Sequence, residues 1–254
     1  MTKPFIHLEG VSKTYRSRRQ EFLAVSDATI DVYEGELVSL VGPSGCGKTT
    51  LLKILAGLHD HDEGIVDIGG GDNPFEPGRD VGMVFHQSLL LKWRKIIDNV
   101  LLPAEILGLP MGESRERARD LLQMVGLEGF EESYPYELSG GMQQRAAIAR
   151  SLVHDPKLIL MDEPFGALDA LTREKMNLEL LRIWSESKKT IIFVTHSIQE
   201  AVLLGSRCAV LTAGPARMAD QFEIEMDYPR TLDMKTHEKF GVYTRRIYKL
   251  LGME

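Results

Sequence analysis

Leu37-Val38-Ser39-Leu40-Val41-Gly42-Pro43-Ser44-Gly45-Cys46-Gly47-Lys48-Thr49 runs from a short apolar segment into a glycine-rich turn ending in Lys-Thr. The apolar half reads as a buried strand. The next residues favour a helix through Leu55, with Gly57 to stop it. Strand, glycine-rich loop and helix in that order form a phosphate-binding loop. Its glycines let backbone N–H groups approach phosphate oxygens, Lys48 reaches the β- and γ-phosphates, and the Thr49 hydroxyl is placed for Mg²⁺. Gly42, Pro43, Ser44, Gly45, Cys46, Gly47, Lys48, Thr49 and the adjoining Thr50 are therefore candidate contacts for a nucleoside triphosphate.

Three more short apolar runs resemble the first: Val81 to Phe85, Leu158 to Met161 and Thr190 to Val194. Each is continuous rather than alternating, as expected of strands buried on both faces of a parallel sheet flanked by helices. Ligands gather at the carboxyl ends of such strands, which here carry Gly42, His86-Gln87, Asp162-Glu163 and His196. Residues 5 to 36 alternate apolar and polar positions between turn signals, which predicts a small antiparallel sheet. Residues 89 to 155 read as a helical insertion, with Ala118, Leu121, Leu122 and Val125 on one face and Gly126 to end that helix. Gly69-Gly70-Gly71 with Pro74, Pro77 and Gly78 reads as a surface turn. The last forty residues suit a short strand and a terminal helix. The expected fold is α/β: a P-loop NTPase core with a mainly parallel sheet, an N-terminal antiparallel β-subdomain and an inserted helical subdomain.

Asp162 and Glu163 follow a buried run, where two carboxylates have separate uses. The first can hold Mg²⁺ through water, and the second can orient and polarise an attacking water as general base. Asp169, a few residues on, suits either a helix cap before Ala170 or a direct role at the nucleotide. His196 ends its run on the same sheet edge as the phosphate loop, in reach of a γ-phosphate. Ser197 to Glu200 spells a capping box for the following helix. Tyr15 has two readings, a platform for adenine or an ordinary packed tyrosine.

Leu138-Ser139-Gly140-Gly141-Met142-Gln143-Gln144-Arg145 predicts a second anion-binding helix start, with the helix itself over Gln143 to Val153. One chain already has a phosphate cradle. Ser139, Gly140, Gly141 and Gln143 therefore read as half of a site completed by another copy.

Composition narrows the classes further. At 254 residues and 43% hydrophobic, the chain can bury a full core. Cys46 and Cys208 stand far apart in sequence, so neither a disulfide framework nor a zinc pattern is expected, and a reducing compartment fits. A net charge of −7 argues against a general nucleic-acid surface. No leader-like apolar segment opens the sequence and no stretch is long enough to span a membrane.

Taken together, the phosphate loop, Leu-Ser-Gly-Gly-Met-Gln, Leu158-Ile159-Leu160-Met161-Asp162-Glu163-Pro164, Phe165 to Asp169 and Thr195-His196 resemble the ATPase subunit of ABC transporters. The resemblance implies a single ABC ATPase domain over 1–254. Residues 5–88 and 156–216 would form the nucleotide-binding core with its β-subdomain, 89–155 the helical subdomain, and 217–254 a C-terminal extension. In that family two subunits face head to tail and sandwich two ATP molecules, so Ser139 and Gly141 would act on the partner's nucleotide. The partner is a second copy or a related ATPase subunit. Phe165-Gly166-Ala167-Leu168-Asp169 looks like bacterial importers, and Leu89 to Leu109 is similar to the nitrate, sulfonate and taurine subgroup, whose solutes are small and mostly anionic. That stretch would receive transmembrane permease subunits at the cytoplasmic face of the inner membrane, with a solute-binding protein acting indirectly. An exporter or lipid-trafficking subunit is the runner-up, and a non-transport ABC protein a further alternative. One departure stands out: aligned without a gap, His86 takes the place of the family's Q-loop glutamine, while a local bulge would let Gln87 serve Mg²⁺ and water instead.

Overall fold

The computed structural model describes residues 3–16, 20–69 and 74–253. In chain order the elements are β1 (Ile6–Arg16), β2 (Glu21–Val32), β3 (Leu37–Val41), α1 (Lys48–Leu55), β4 (Glu63–Ile68), α2 (Pro77–Asp80), β5 (Val81–Val84), α3 (Ile96–Ile106), α4 (Met111–Met124), α5 (Gly140–Leu152), β6 (Leu158–Asp162), α6 (Ala170–Ser187), β7 (Thr190–Thr195), α7 (Ile198–Leu204), β8 (Arg207–Leu211), β9 (Met218–Glu223) and α8 (Glu238–Leu250).

The larger sheet has the order β5-β6-β7-β3-β8-β9. Its first five strands are parallel and β9 closes the edge antiparallel to β8. All five residues of β3 are buried, which explains why its run is continuous rather than alternating. The period of two divides the runs between two cores. Leu37, Val41, Ile159, Met161, Ile191 and Phe193 enter one, which also holds apolar residues from α3 through α8. Val38, Leu40, Leu158, Leu160, Ile192 and Val194 enter the other, between the sheet, α1 and the antiparallel layer. Each fully buried aliphatic side chain contributes about 1.5–3 kcal/mol, so the strands are fixed from both faces.

The antiparallel layer has the order β2-β1-β4. The expectation over 5–36 foresaw its first two strands and missed β4. Glu63-Gly64-Ile65-Val66-Asp67-Ile68 mixes acidic residues and glycine with its aliphatics, and only pairing with β1 makes it a strand. β8 was also missed, because Cys208-Ala209-Val210-Leu211 follows closely on the apolar helix residues Ala201 to Leu204 and has no separate signal.

Of the expected glycine-rich turn, Gly70 and Gly71 lie outside the described residues, and Pro77-Gly78 open α2 instead of a turn. Between β5 and β6 run α3, α4 and α5. Gly126 follows α4 with φ +66°, as expected of a helix stop. α5 starts earlier than expected, at Gly140 rather than Gln143, because Ser139 Oγ accepts the Met142 N–H at 3.3 Å and fixes the cap there. First-turn N–H groups have no intrahelical partner, so two glycines there cost the helix little. Among the described residues, no helix is long and apolar enough to cross a membrane.

Candidate functional site

The loop after β3 curls over the first turn of α1. Gly47 has φ +117°, and a Cβ there would sit 2.3 Å from the Ala24 carbonyl oxygen, so only glycine permits this passage against β2. Lys48 is 4% exposed. Its ammonium donates to the carbonyls of Gly42 and Pro43 at 2.9 Å each and lies 3.4 Å from Glu163 Oε1. Cys46 packs into the core beneath the loop, so only its backbone faces the anion side. Burial pushes both thiols up, Cys208 to about 12, which leaves them protonated and unreactive.

Ser44, Gly45, Gly47, Lys48, Thr49, Thr50, His86, Asp162 and Glu163 line one open pocket of about 410 Å³. Thr49 Oγ1 donates to Asp162, 3.0 Å from either carboxylate oxygen. Burial pushes the Asp162 carboxyl up, opposed by the Thr49 hydroxyl. Glu163 sits in the left-handed region at φ +46°, a conformation that costs a non-glycine residue about 1–3 kcal/mol and that proteins keep at working sites. The turn is held by Glu163 N–H to Val194 O at 3.0 Å and Gly166 N–H to Glu163 O at 3.1 Å. Its carboxylate is thereby suspended between two groups: Lys48 on one oxygen and His196 Nδ1, at 2.8 Å, on the other.

His196 is supported from behind. Ser197 N–H donates to Thr195 Oγ1 at 2.9 Å, and that hydroxyl donates to Glu200 at 2.5 Å. The expected capping box is thus only half formed. Ser197 Oγ accepts the Glu200 N–H at 3.4 Å, but the Glu200 carboxylate turns to Thr195 and not back to Ser197.

Other candidates fall outside the pocket. Tyr15 directs its hydroxyl to Thr50 Oγ1 at 3.4 Å and packs edge-on against His59. Its cross-strand partner Phe22 lines the pocket instead, as does Ala24; neither was anticipated, and the register of β1 with β2 is what brings Phe22 there. Asp169 caps α6, accepting the Thr172 N–H at 3.0 Å. Of the pair that the sequence left open, His86 stands at the boundary and lines both the phosphate pocket and the neighbouring cleft, while Gln87 lines the cleft with Gly140 and Gln143. Gln143 is occupied there: its amide donates to the Pro135 and Leu138 carbonyls and accepts from Ser88. Ser139 and Gly141 open onto a separate hollow beside Thr172. No residue of 138–145 lines the phosphate pocket of its own chain.

A glycine-rich loop at the end of a buried parallel strand, with adjacent carboxylates at the end of another strand of that sheet, defines a P-loop nucleoside triphosphatase. Residues 25–166 match the ABC transporter family model, and the chain belongs to that family of ATPases. It is 46% identical over 249 residues to an ABC transporter ATP-binding protein of Methanocaldococcus jannaschii, covering 98% of this chain and 92% of that one. It is 42% identical over 231 residues to a taurine import ATP-binding protein of a Jannaschia species (91% and 86% covered). A Bacillus cereus aliphatic sulfonates import ATP-binding protein is 39% identical over 242 residues (95% and 94%). A solved dimeric ATP-binding cassette in a post-hydrolysis state bound to ADP and Pi superposes with a TM-score of 0.73 at 34% identity, covering 87% of this chain and 100% of that one.

Proposed function

We propose that this chain is the ATP-hydrolysing subunit of a bacterial ABC importer. It works as a dimer that sandwiches ATP and powers uptake of a small solute carrying an anionic group, such as taurine, another sulfonate or nitrate. The observation that carries the dimer is the separation of the two anion-binding helix starts: Ser139 to Gly141 lie away from the pocket of their own chain, free to face a partner's nucleotide.

In this reading the backbone of 42–49 and the Lys48 ammonium hold the phosphates of ATP. Lys48 gives up its carbonyl partners at Gly42 and Pro43 as phosphate oxygens replace them. Glu163 takes a proton from the attacking water, and His196 orients that carboxylate through its 2.8 Å hydrogen bond. Thr49 and Asp162 fit Mg²⁺, since a hydroxyl and a carboxylate already lie side by side at 3.0 Å and both are hard oxygen donors. When bound, the ion neutralises charge on the phosphates. Ser139 and Gly141 of the partner close the site from the far side and exclude water.

The importer reading draws on relatives whose names specify import of taurine and aliphatic sulfonates. Leu89, Trp93 and Ile106 are exposed apolar side chains around the Leu89–Leu109 stretch, with Trp93 75% exposed, and they suit docking to permease subunits at the cytoplasmic face of the inner membrane. The test is reconstitution with its permease subunits and solute-binding protein in liposomes. ATPase activity stimulated by taurine, an alkyl sulfonate or nitrate, with solute moved toward the ATPase side, is expected. Movement the other way, or no stimulation by any solute of this class, would rule the importer out.

A further inference from the structure

We propose that His86 directly ligates the divalent ion bound with the nucleotide, so that this ATPase prefers Mn²⁺ or Co²⁺ over Mg²⁺ more than an amide at that position would allow. The proposal rests on the reading of Thr49 and Asp162 as the metal-holding pair. His86, an exposed side chain at the boundary between two cavities, lines the same pocket as those two residues as well as the cleft beside it. Among the described residues its imidazole has no hydrogen-bond or ion-pair partner, so a ring nitrogen remains available as a donor. The other histidine of the site differs in this respect: His196 commits Nδ1 to Glu163 at 2.8 Å.

The loop that presents His86 is firmly held. Gln144, 3% exposed, donates to the Phe85 carbonyl at 3.0 Å, just before His86. Arg150 donates to the Ser88 and Leu89 carbonyls at 2.7 and 2.8 Å, just after it. That grip holds Leu89 in the left-handed region at φ +46°. Gly166 completes the seat, since a Cβ there would lie 2.8 Å from His86 Nε2; any side chain would expel the ring. The backbone that carries the ring is thus fixed, and binding would have to order only the exposed imidazole itself.

Coordination chemistry supplies the consequence. Hydroxyl, carboxylate and phosphate oxygens suit Mg²⁺, whereas an imidazole nitrogen is a borderline donor that Mn²⁺ and Co²⁺ accept more readily. Among the described residues no three His, Cys, Asp or Glu side chains form a cage, so the ion would be held openly, with phosphate and water completing its shell.

Pulsed electron paramagnetic resonance of the full chain with Mn²⁺ and ADP tests this. A nitrogen-14 coupling to Mn²⁺ is expected, changing to the nitrogen-15 pattern when the histidines are labelled and vanishing in His86→Gln but not in His196→Gln. The preference for Mn²⁺ over Mg²⁺ in ADP binding should fall about tenfold in His86→Gln. Absence of any nitrogen coupling in the labelled parent chain, which needs no variant to fold, would overturn the proposal. So would a coupling that survives His86→Gln. If Mn²⁺ and ADP instead bind equally well to Asp162→Asn, the metal assignment itself fails and the ligand role of His86 with it.

Discussion

At the scale of single residues, the most consequential one is Glu163, because its backbone is strained and its carboxylate bridges Lys48 and His196. Glu163→Gln keeps the shape and removes the proposed base. Hydrolysis should fall by about 10²- to 10⁴-fold while ATP still binds, as single-turnover and nucleotide-binding assays would record. Hydrolysis at the parent rate would move the base elsewhere. His154 offers a separate pH test. Its Nε2–H donates to the Val81 carbonyl at 3.2 Å, its Nδ1 is buried without a partner, and burial lowers its pKa below the ordinary histidine value. The unfolded chain therefore takes up a proton at this residue before the folded chain does, and stability falls as pH drops below about 6.5. In His154→Gln the loss of melting temperature between pH 7.5 and 5.5 should be smaller than in the parent; an equal loss would assign acid sensitivity to other groups. Much at this scale was legible in the sequence. Asp162, Glu163 and His196 follow apolar runs, Lys48 and Thr49 close the glycine-rich loop that follows another, and the parallel sheet brings such ends together. Phe22 was not legible, because nothing in Glu21-Phe22-Leu23 shows which face of β2 meets the phosphate loop. Tyr15 directs its hydroxyl to Thr50 and packs its ring edge-on against His59.

At the scale of elements, α5 and the C-terminal extension show how polar side chains hold the parts around the sheet. Ser139 caps α5 and, in the proposed dimer, meets the partner's nucleotide, so Ser139→Ala should separate the two roles. Loss of the cap costs about 1 kcal/mol, read as a drop in melting temperature of a few degrees, whereas ATPase activity should fall far more than that stability loss explains. Activity that falls only in step with stability would leave Ser139 a cap and nothing else. In the extension, the buried Arg230 guanidinium donates to the carbonyls of Val202, Leu203, Gly205, Ile224 and Met226, closing the end of α7 against the strand-to-helix connection. Arg230→Met strands these carbonyls, and a loss of about 3–5 kcal/mol is expected by denaturant unfolding. An unchanged midpoint would mean that water replaces the guanidinium. The terminal strand and helix could be foreseen from pattern, but not this anchor: an arginine in Tyr228-Pro229-Arg230 has no signal of burial until α7 and β9 converge on it. β4 and β8 went unread for a related reason, since each is a strand only because a neighbour supplies the ladder.

At the scale of the molecule, two cores hold a sheet whose loop edge carries the phosphate pocket, and in the proposed dimer the other half of the reaction site is the hollow at Ser139 and Gly141, outside that pocket in the same chain. Closing a pair of such chains almost completely needs about 5.5 kcal/mol of preference for the closed state, within the range that phosphate contacts at two sites can supply. The pairing was legible in the sequence only as a redundancy, two anion-binding helix starts for one chain. The fold adds that the two do not share a pocket. Sedimentation velocity of Glu163→Gln with and without saturating ATP and Mg²⁺ is the most direct test of the facing pair. The expected result is a monomer that becomes a dimer with nucleotide, and remains monomeric when Ser139→Arg is added. A chain that stays monomeric with ATP bound, while the parent protein hydrolyses at full rate under equal dilution, would contradict it.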